Sequence, residues 1–587
     1  MKELLTGNEA IARGAYEGGV AVAAAYPGTP STEILENFAR YPDVYAEWAP
    51  NEKVALEVAI GASLAGVRAM AVMKHVGLNV AADPLLTLAY TGVNGGLLVV
   101  SADDPGVHSS QNEQDNRHYA RFARIPLLEP SDSGEAREMV ILALELSEKY
   151  DTPVLLRTTT RVSHSISPVE EGLARPAPAR RPYKKDAAKY LMVPAYARGR
   201  RAVLQARMAE LKECAEKTPL NFIEWRDRSL GVVTSGVAYH YVREALPNAS
   251  VLKLGMTYPL PEDLVRRFAA GVERLAVVEE LDPFLEEQIK ALGLACAGKE
   301  IIPPFGELDP GVVASSFAQK GFSSAVTYTG VDTAGLPAAP ARPPVMCPGC
   351  PHRGVLYTLK KLRLTVTGDI GCYTLGGLPP LEAMDFCVCM GASIGASHGI
   401  SKADPQMAKS TVAVIGDSTF LHSGITGLLN CVYNGGHTTV IILDNGTTAM
   451  TGHQHHPGTG RTLMGKEASA VELEALVRAL GVKRVRTVDP LDLAGVESAV
   501  REEVIAGEPS VIISRRKCVL LEKKSGRPVA VLTQKCTGCR ACTRLGCPSL
   551  AVAGGVAAVD PYTCTGCGLC TQVCREGALT KEVLTGE

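Results

Sequence analysis

Short apolar runs and longer stretches of helical period alternate through most of this chain. Over the first 170 or so residues the runs VAVAAAYPG, VRAMAVMKH, GGLLVVSAD and TPVLLRTTT read as strands, with helical patterns such as 52–65 and 133–149 between them. Strands that are apolar on both faces and separated by helices predict a parallel sheet covered on both sides. The pattern resumes at LGVVTSG, SVLKLG and LAVVEE, and again at STVAVIGD and TTVIILDN. Two stretches break it. One is RPAPARRP followed by the charged helical segment RRAVLQARMAELKECAEK, and the other is the Pro/Ala/Gly-rich DTAGLPAAPARPP. The expected organisation is an α/β domain over 1–175, a connector over 176–225, a second α/β domain over 226–310, a linker over 311–344, a third α/β domain over 345–525 and a small module over 526–587. No short repeat is evident.

Composition narrows the classes. A chain of 587 residues exceeds a single core, so several domains are expected. Apolar residues make up 46% and charged residues 21%, as in globular proteins in water. The net charge of −2 gives no electrostatic case for nucleic acid or membrane. The N-terminus lacks a long apolar segment, and no run is long enough to span a bilayer. Seventeen cysteines without a secretion signal point to a reducing compartment and metal ligation rather than disulfides. The expected location is the cytoplasm, in an oxygen-sensitive protein.

Eight of those cysteines lie in residues 536–587. Cys536, Cys539 and Cys542 form a C-x2-C-x2-C run, followed by Cys547-Pro548. Cys564, Cys567 and Cys570 form a second run, followed by Cys574. This is close to the bacterial ferredoxin pattern, in which the fourth cysteine of each run serves the other cluster. The expected sets are therefore Cys536, Cys539, Cys542 and Cys574 for one [4Fe-4S] cluster, and Cys564, Cys567, Cys570 and Cys547 for the other. A zinc ribbon does not need two tandem three-cysteine runs. The first run departs from the pattern by one extra residue, with Thr543–Gly546 before Cys547.

Gly416-Asp417-Ser418 follows one apolar strand, and Asp444-Asn445-Gly446-Thr447 follows the next, with Asp417 and Asn445 28 residues apart. One helix and one strand fill that spacing, which sets the ends of neighbouring parallel strands side by side, where α/β sheets bind ligands. A carboxylate, an amide oxygen and a backbone carbonyl suit a hard octahedral cation such as Mg²⁺ bridging two phosphates. Glycines permit close approach of the phosphates. Gly416-Asp417-Ser418 alone could be an ordinary β–α turn. With the downstream segment it resembles the thiamine diphosphate motif, which implies Asp417 and Asn445 as side-chain ligands and Thr447 as a carbonyl ligand.

Thiamine chemistry also needs a carboxylate against the aminopyrimidine ring. Glu52, at the start of a helical stretch, offers one, although an acid there also suits the helix dipole. The segments GNEAIARGAYEGGV, AYPGTPSTEI, NEKVALEVAIGASLAG and MKHVGLN resemble the N-terminal domain of the 2-oxoacid:ferredoxin oxidoreductases. Nearly the whole chain follows that family's order of pyrimidine-binding, transketolase-C-like, diphosphate-binding and ferredoxin domains, nearest to the large (alpha) subunits of the indolepyruvate branch. The resemblance implies that Glu52 activates the cofactor, that Thr29 contacts the substrate carboxylate and that Arg117 supplies a cation to it. It also implies a third cluster on Cys347, Cys350 and Cys372, with Cys518 as the candidate fourth ligand; structural thiols on a turn are the alternative. His453, His455 and His456 are expected in a loop beside the cofactor, donating to substrate or diphosphate rather than holding a separate metal. Cys214, Cys296, Cys387, Cys389 and Cys431 are expected in the core.

The implied reaction is oxidative decarboxylation of an aryl 2-oxo acid to arylacetyl-CoA and CO2. Two electrons pass singly through the clusters to an external ferredoxin, and coenzyme A takes the acyl group. The implied partner is a smaller beta subunit, in a dimer of alpha–beta pairs. The alternatives are a non-oxidative thiamine-dependent decarboxylase, a pure electron-transfer subunit, and the same enzyme type acting on a different 2-oxo acid.

Overall fold

The computed structural model describes residues 2–170, 172, 180–321, 326, 335, 337, 340, 343–522 and 526–581. The chain forms two compact units, residues 1–335 and 336–587. Much of the Pro/Arg-rich stretch near 175 and of the Pro/Ala-rich stretch near 335 lies outside the described residues.

The first unit is built on a seven-stranded sheet. Its order is Met256–Tyr258, Leu127–Leu128, Val154–Thr159, Leu97–Asp103, Arg68–Lys74, Val20–Ala25 and Tyr45–Trp48. All neighbours are parallel except Met256–Tyr258, which runs antiparallel. Leu97–Asp103 and Val154–Thr159 are buried along their whole length, as strands with helices on both faces must be. Helix Glu52–Leu64 starts at Asn51, whose side chain accepts from the Val54 amide at 3.0 Å.

A four-stranded sheet follows, in the order Leu275–Val278, Asp227–Ser235, Ala249–Leu254 and Asn221–Glu224, the last antiparallel. Three features depart from the sequence expectation. The stretch read as a connector contributes the edge strand Asn221–Glu224 and the 24-residue helix Pro194–Lys217. Lys189, Arg200 and Arg207 of that stretch all pair with Asp151, which ties it to the first sheet's surroundings. Strand Met256–Tyr258 lies in sequence between two strands of the second sheet but joins the first. The stretch read as a linker begins with helix Pro310–Gln319, whose Val313, Ala314 and Phe317 are buried in the second sheet's core. Pro at its first turn and Asp309 capping the Val312 amide start it correctly.

The second unit holds a parallel five-stranded sheet in the order Thr365–Thr367, Thr411–Gly416, Thr439–Asp444, Ser510–Arg515 and Arg484–Val488. Gly416 pairs with Leu443, so the chain leaves two adjacent strands at the same level. The cysteine-rich end adds two antiparallel strand pairs, Ala530–Val531 with Leu579–Thr580 and Leu550–Ala553 with Val556–Val559. Gly554 and Gly555, at φ 58° and 81°, turn the second pair as a two-residue hairpin requires. Among the described residues no helix is long and apolar enough to cross a membrane.

Candidate active site and redox centres

At the ends of the two central strands of the second unit, Asp417, Asn445 and Thr447 are buried together. Asp417 Oδ1 accepts from the Ser418 amide at 2.8 Å and Oδ2 from the Gly446 amide at 2.8 Å, so one carboxylate stitches both strand-end turns. Asn445 Oδ1 accepts from the Thr447 amide at 3.2 Å. The Gly416 amide donates to the Tyr373 hydroxyl at 2.9 Å, and the Ser418 and Thr448 hydroxyls lie 2.8 Å apart. Among the described residues the ion-pair partner of Asp417 is His456, with Nε2 at 3.2 Å from Oδ2. The Asp444 carboxyl is held above its usual range, first by burial and then by the charge of Asp417. Two nearby carboxylates, one of them with only an imidazole for an ion-pair partner, together with amide and carbonyl oxygens, form a donor set that a divalent cation fits.

Sequence reasoning did not assign His352 or Tyr373. His352 is buried, with Nε2 at 3.3 Å from Asn445 Nδ2. Burial lowers its pKa to about 4 against the opposing pull of Asp417, so the neutral ring sits against Asn445. Its position two residues after Cys350 was the available signal.

The four cysteines of the third set come together behind this site. The thiols of Cys350 and Cys372 are pushed up to about 12 and about 11, chiefly by burial. Cys350 also feels Cys372 and Cys347, Cys372 feels Cys518 and Cys347, and Cys518 feels Cys347. Cys347 and Cys350 line an apolar cluster with Tyr373 and Leu443. All four are free thiols. Four soft ligands in an apolar, disulfide-free setting fit an iron–sulfur cluster. The Cys518 amide donates to the Asn445 carbonyl at 2.9 Å, so this set hangs directly on the proposed metal ligand. His453 does not face the Asp417 turn in the way His456 does: its Nε2 lies 3.8 Å from Cys518 Sγ. His455 pairs with the Thr459 hydroxyl at 3.1 Å.

The C-terminal cysteines sort into two groups. Cys542 feels Cys574 and Cys539, whereas Cys570 feels Cys567, Cys564 and Cys547. An apolar recess is lined by Cys547, Cys564, Cys567 and Cys570 together with Pro348, Gly349 and Arg353. Backbone amides already point at sulfur, from Ala557 to Cys536 at 3.3 Å and from Ala578 to Cys574 at 3.2 Å. The extra residue before Cys547 is absorbed by a 3-10 turn, Ala541–Leu545, ending on left-handed Gly546. Gly349, at φ 71°, packs on Thr565: a Cβ there would lie 2.1 Å from Thr565 Oγ1. The Cys347–Cys350 turn and the Cys564–Cys570 run are therefore in contact. Two of the expected core cysteines are not in the core. Cys387 and Cys389 are exposed on the loop before helix Ala392–Ala403, Cys214 and Cys296 are half-buried, and Cys431 is buried.

In the first unit, Glu52 is buried at the start of its helix with Gly77 pressed against it: a Cβ on Gly77 would lie 2.6 Å from Glu52 Oε1. Thr29 lies in the turn after Val20–Ala25, and its carbonyl accepts from the Ser109 hydroxyl at 3.4 Å. Arg117 is not a free cation. It is 1% exposed and donates to Asp115, to Glu279 and to the carbonyls of Glu280 and Asp282. Its partners hold it charged, and it holds the Asp115 carboxyl far below the usual range against burial. Arg117 closes the joint between the two sheets of this unit. Lys74, which sequence reasoning did not single out, stands instead at the strand end: Nζ donates to the Ser109 carbonyl at 3.0 Å.

Comparisons with known proteins give the family. Residues 13–209 match the family described as pyruvate flavodoxin/ferredoxin oxidoreductase, thiamine diphosphate-binding. Residues 369–514 match the C-terminal TPP-binding domain of thiamine pyrophosphate enzymes, and residues 529–575 match the 4Fe-4S dicluster domain. The indolepyruvate oxidoreductase subunit IorA of Methanothermobacter thermautotrophicus is 45% identical, with 99% of this chain and 97% of that protein aligned. Those of Archaeoglobus fulgidus and Pyrococcus horikoshii are each 41% identical, over 98% and 99% of this chain and 97% of the relative in both cases. A thiamine-binding domain pair, a dicluster domain and full-length likeness of this kind place the chain in the indolepyruvate oxidoreductase IorA family, among the thiamine-dependent 2-oxoacid:ferredoxin oxidoreductases.

Proposed function

We propose that this chain is the large subunit of an enzyme that oxidatively decarboxylates aryl 2-oxo acids of the indolepyruvate type. The products are the arylacetyl-CoA, CO2 and reduced ferredoxin. The names of the full-length relatives support the substrate class. In the balanced reaction, the 2-oxo acid anion and coenzyme A give thioester, CO2, a proton and two electrons, which two one-electron ferredoxins accept.

Asp417 and Asn445 through side chains, and Thr447 through its carbonyl, would hold Mg²⁺ and the diphosphate. Glu52 would hold and pass a proton at the aminopyrimidine. Thiamine diphosphate, when bound, supplies the electron sink that lets CO2 leave. Thr29 would contact the substrate carboxylate. Cys347, Cys350, Cys372 and Cys518 would hold a proximal [4Fe-4S] cluster. Cys564, Cys567, Cys570 and Cys547 would hold the next, and Cys536, Cys539, Cys542 and Cys574 the last. The observation that carries the reading is the continuity in the second unit. Asn445 is bonded to Cys518, and Gly349 of the Cys347–Cys350 turn packs against Thr565 of the next run. A non-oxidative decarboxylase has no use for such a series. The expected partners are a smaller beta subunit and external ferredoxin, in the cytoplasm.

The test is anaerobic co-expression with the small subunit, followed by a screen of 2-oxo acids with CoA and a viologen dye. Indolepyruvate, phenylpyruvate and 4-hydroxyphenylpyruvate should reduce the dye in a CoA-dependent reaction; reduction by pyruvate alone would overturn the substrate class. Iron should be about twelve atoms per chain, as three four-iron clusters require, against about eight for the ferredoxin pair alone.

A further inference from the structure

We propose that Lys74 is the cation that receives the carboxylate of the 2-oxo acid. The inference rests on the reading above and names a residue that reading leaves open. A 2-oxo acid carries a full negative charge, and a poised cation gives that charge a charge-assisted hydrogen-bond partner. The arginines near these strand ends cannot provide one: Arg161, just after strand Val154–Thr159, is paired with Glu307. Arg117 is held by Asp115 and Glu279, and Arg157 by Asp103 and Glu129, all of them buried.

Lys74 differs from these arginines. It is the last residue of the interior strand Arg68–Lys74, at the end of the sheet where parallel α/β folds bind ligands. Among the described residues it forms no ion pair, and its hydrogen bond goes to a neutral carbonyl, that of Ser109. An ammonium has three donors, so two remain for an incoming carboxylate. The turn bearing Thr29 is shaped around its stem: a Cβ on Gly28 would lie 3.0 Å from Lys74 Cγ and 3.1 Å from Cδ. The Ser109 hydroxyl in turn reaches the Thr29 carbonyl at 3.4 Å, so the lysine, the turn and the loop form one wall.

The charged groups that act on Lys74 are Asp104, after the neighbouring strand, and Glu52, on the helix; its neighbour in the chain is His75. Asp104 is engaged by the Ser109 amide and by the hydroxyls of Ser110 and Thr160. Burial lowers Lys74 to about 8, opposed by Asp104 and Glu52. The free enzyme should therefore lose the cation as pH rises through about 8, and an arriving carboxylate should restore it.

The holoenzyme with its partner subunit is compared with Lys74→Met and Lys74→Arg. Two readouts are used: steady-state kinetics, and equilibrium titration with an aryl 2-hydroxy acid, which keeps the carboxylate and cannot decarboxylate. In Lys74→Met, KM for the 2-oxo acid and Kd for the hydroxy acid should both rise about a hundredfold or more, the scale of removing one partner of a desolvated charge pair. KM for CoA and Kd for thiamine diphosphate should stay within about threefold, the context scatter of single-site effects. Lys74→Arg should restore most of the affinity and move the alkaline limb of kcat/KM above the wild-type position near 8. Unchanged Kd for the hydroxy acid in Lys74→Met overturns the proposal, as does an unmoved alkaline limb in Lys74→Arg. If Lys74→Met does not fold, Lys74→Gln makes the same comparison. A wild-type enzyme that turns over no 2-oxo acid fails the functional reading instead, and the equilibrium titration still decides the lysine.

Discussion

A carboxylate that exchanges a proton with a cofactor ring must be in place before the cofactor arrives. Glu52 meets that condition. Its helix begins at Asn51, its side chain is 4% exposed, and Gly77 lies against it where any larger residue would collide. Glu52→Gln keeps the volume and removes the acid, so kcat should fall by about 10²–10⁴ while thiamine diphosphate still binds. Single-turnover kinetics and a cofactor titration read the two parts separately, and an undiminished kcat would remove Glu52 from the chemistry. Asp417 predicts the opposite split. Its carboxylate ties two turns and is a proposed Mg²⁺ ligand, so Asp417→Ala should weaken Mg²⁺-dependent cofactor binding by more than about a hundredfold, beyond what losing a group that only orients a ligand costs. A cofactor titration at fixed Mg²⁺ checks it; wild-type affinity in Asp417→Ala would remove that residue from the metal site.

Among elements, the turn between Cys347 and Cys350 is the most constrained. Gly349 takes φ 71° and has Thr565 where its side chain would be. Gly349→Val must both strain the backbone and displace the run that carries Cys564 and Cys567, at a cost of about 1–3 kcal/mol. The expected outcome is a folded protein with iron falling from about twelve toward about eight atoms per chain, and slower dye reduction at unchanged substrate affinity. Iron analysis beside a thermal melt checks it, and full iron content in a fully active variant would overturn the contact's importance. This turn also shows what a sequence can and cannot tell. The Cys347–Cys350 spacing, the two C-x2-C-x2-C runs and the pair Asp417 and Asn445 are legible because their geometry follows from strand ends and turns close in sequence. The setting of Arg117 is not legible locally, because its partner Glu279 stands 162 residues away and no local pattern announces such a pairing. Helix Pro310–Gln319 runs into a stretch that ends in the Pro/Ala/Gly-rich DTAGLPAAPARPP, and strand Met256–Tyr258 joins a sheet that its neighbours in sequence do not. Cys387 and Cys389 sit among apolar residues, Phe386 and Val388, which are themselves exposed, so hydropathy pointed inward where the chain runs outward.

Across the second unit as a whole, the order of the clusters can be tested against the chain's own topology. The crossed assignment makes Cys574 a partner of the first run and Cys547 a partner of the second, although each lies nearer in sequence to the other run. Cys542 feels Cys574, and Cys570 feels Cys547, and the cysteines lining the recess beside Gly349 are those of the Cys547 set. The set on the path from Asn445 is therefore the one containing Cys547, and the set containing Cys574 lies beyond it. Cys547→Ser and Cys564→Ser should erase the same reduced-cluster EPR signal, and Cys574→Ser and Cys536→Ser the other, since removing any ligand disturbs the cluster it serves. Their kinetic signatures should differ as well. Losing the inner cluster should interrupt flow to dye and to ferredoxin alike, whereas losing the outer one should spare a small dye that can reach the inner cluster and abolish reduction of a ferredoxin that takes its electrons from the outer cluster. If Cys574→Ser instead abolishes the signal that Cys564→Ser abolishes, the fourth ligands are not crossed. The electrons would then leave the Cys347–Cys350 turn through a cluster built from consecutive cysteines, and the extra residue accommodated at Gly546 would have to be reinterpreted as the feature that brings Cys547 back to its own run.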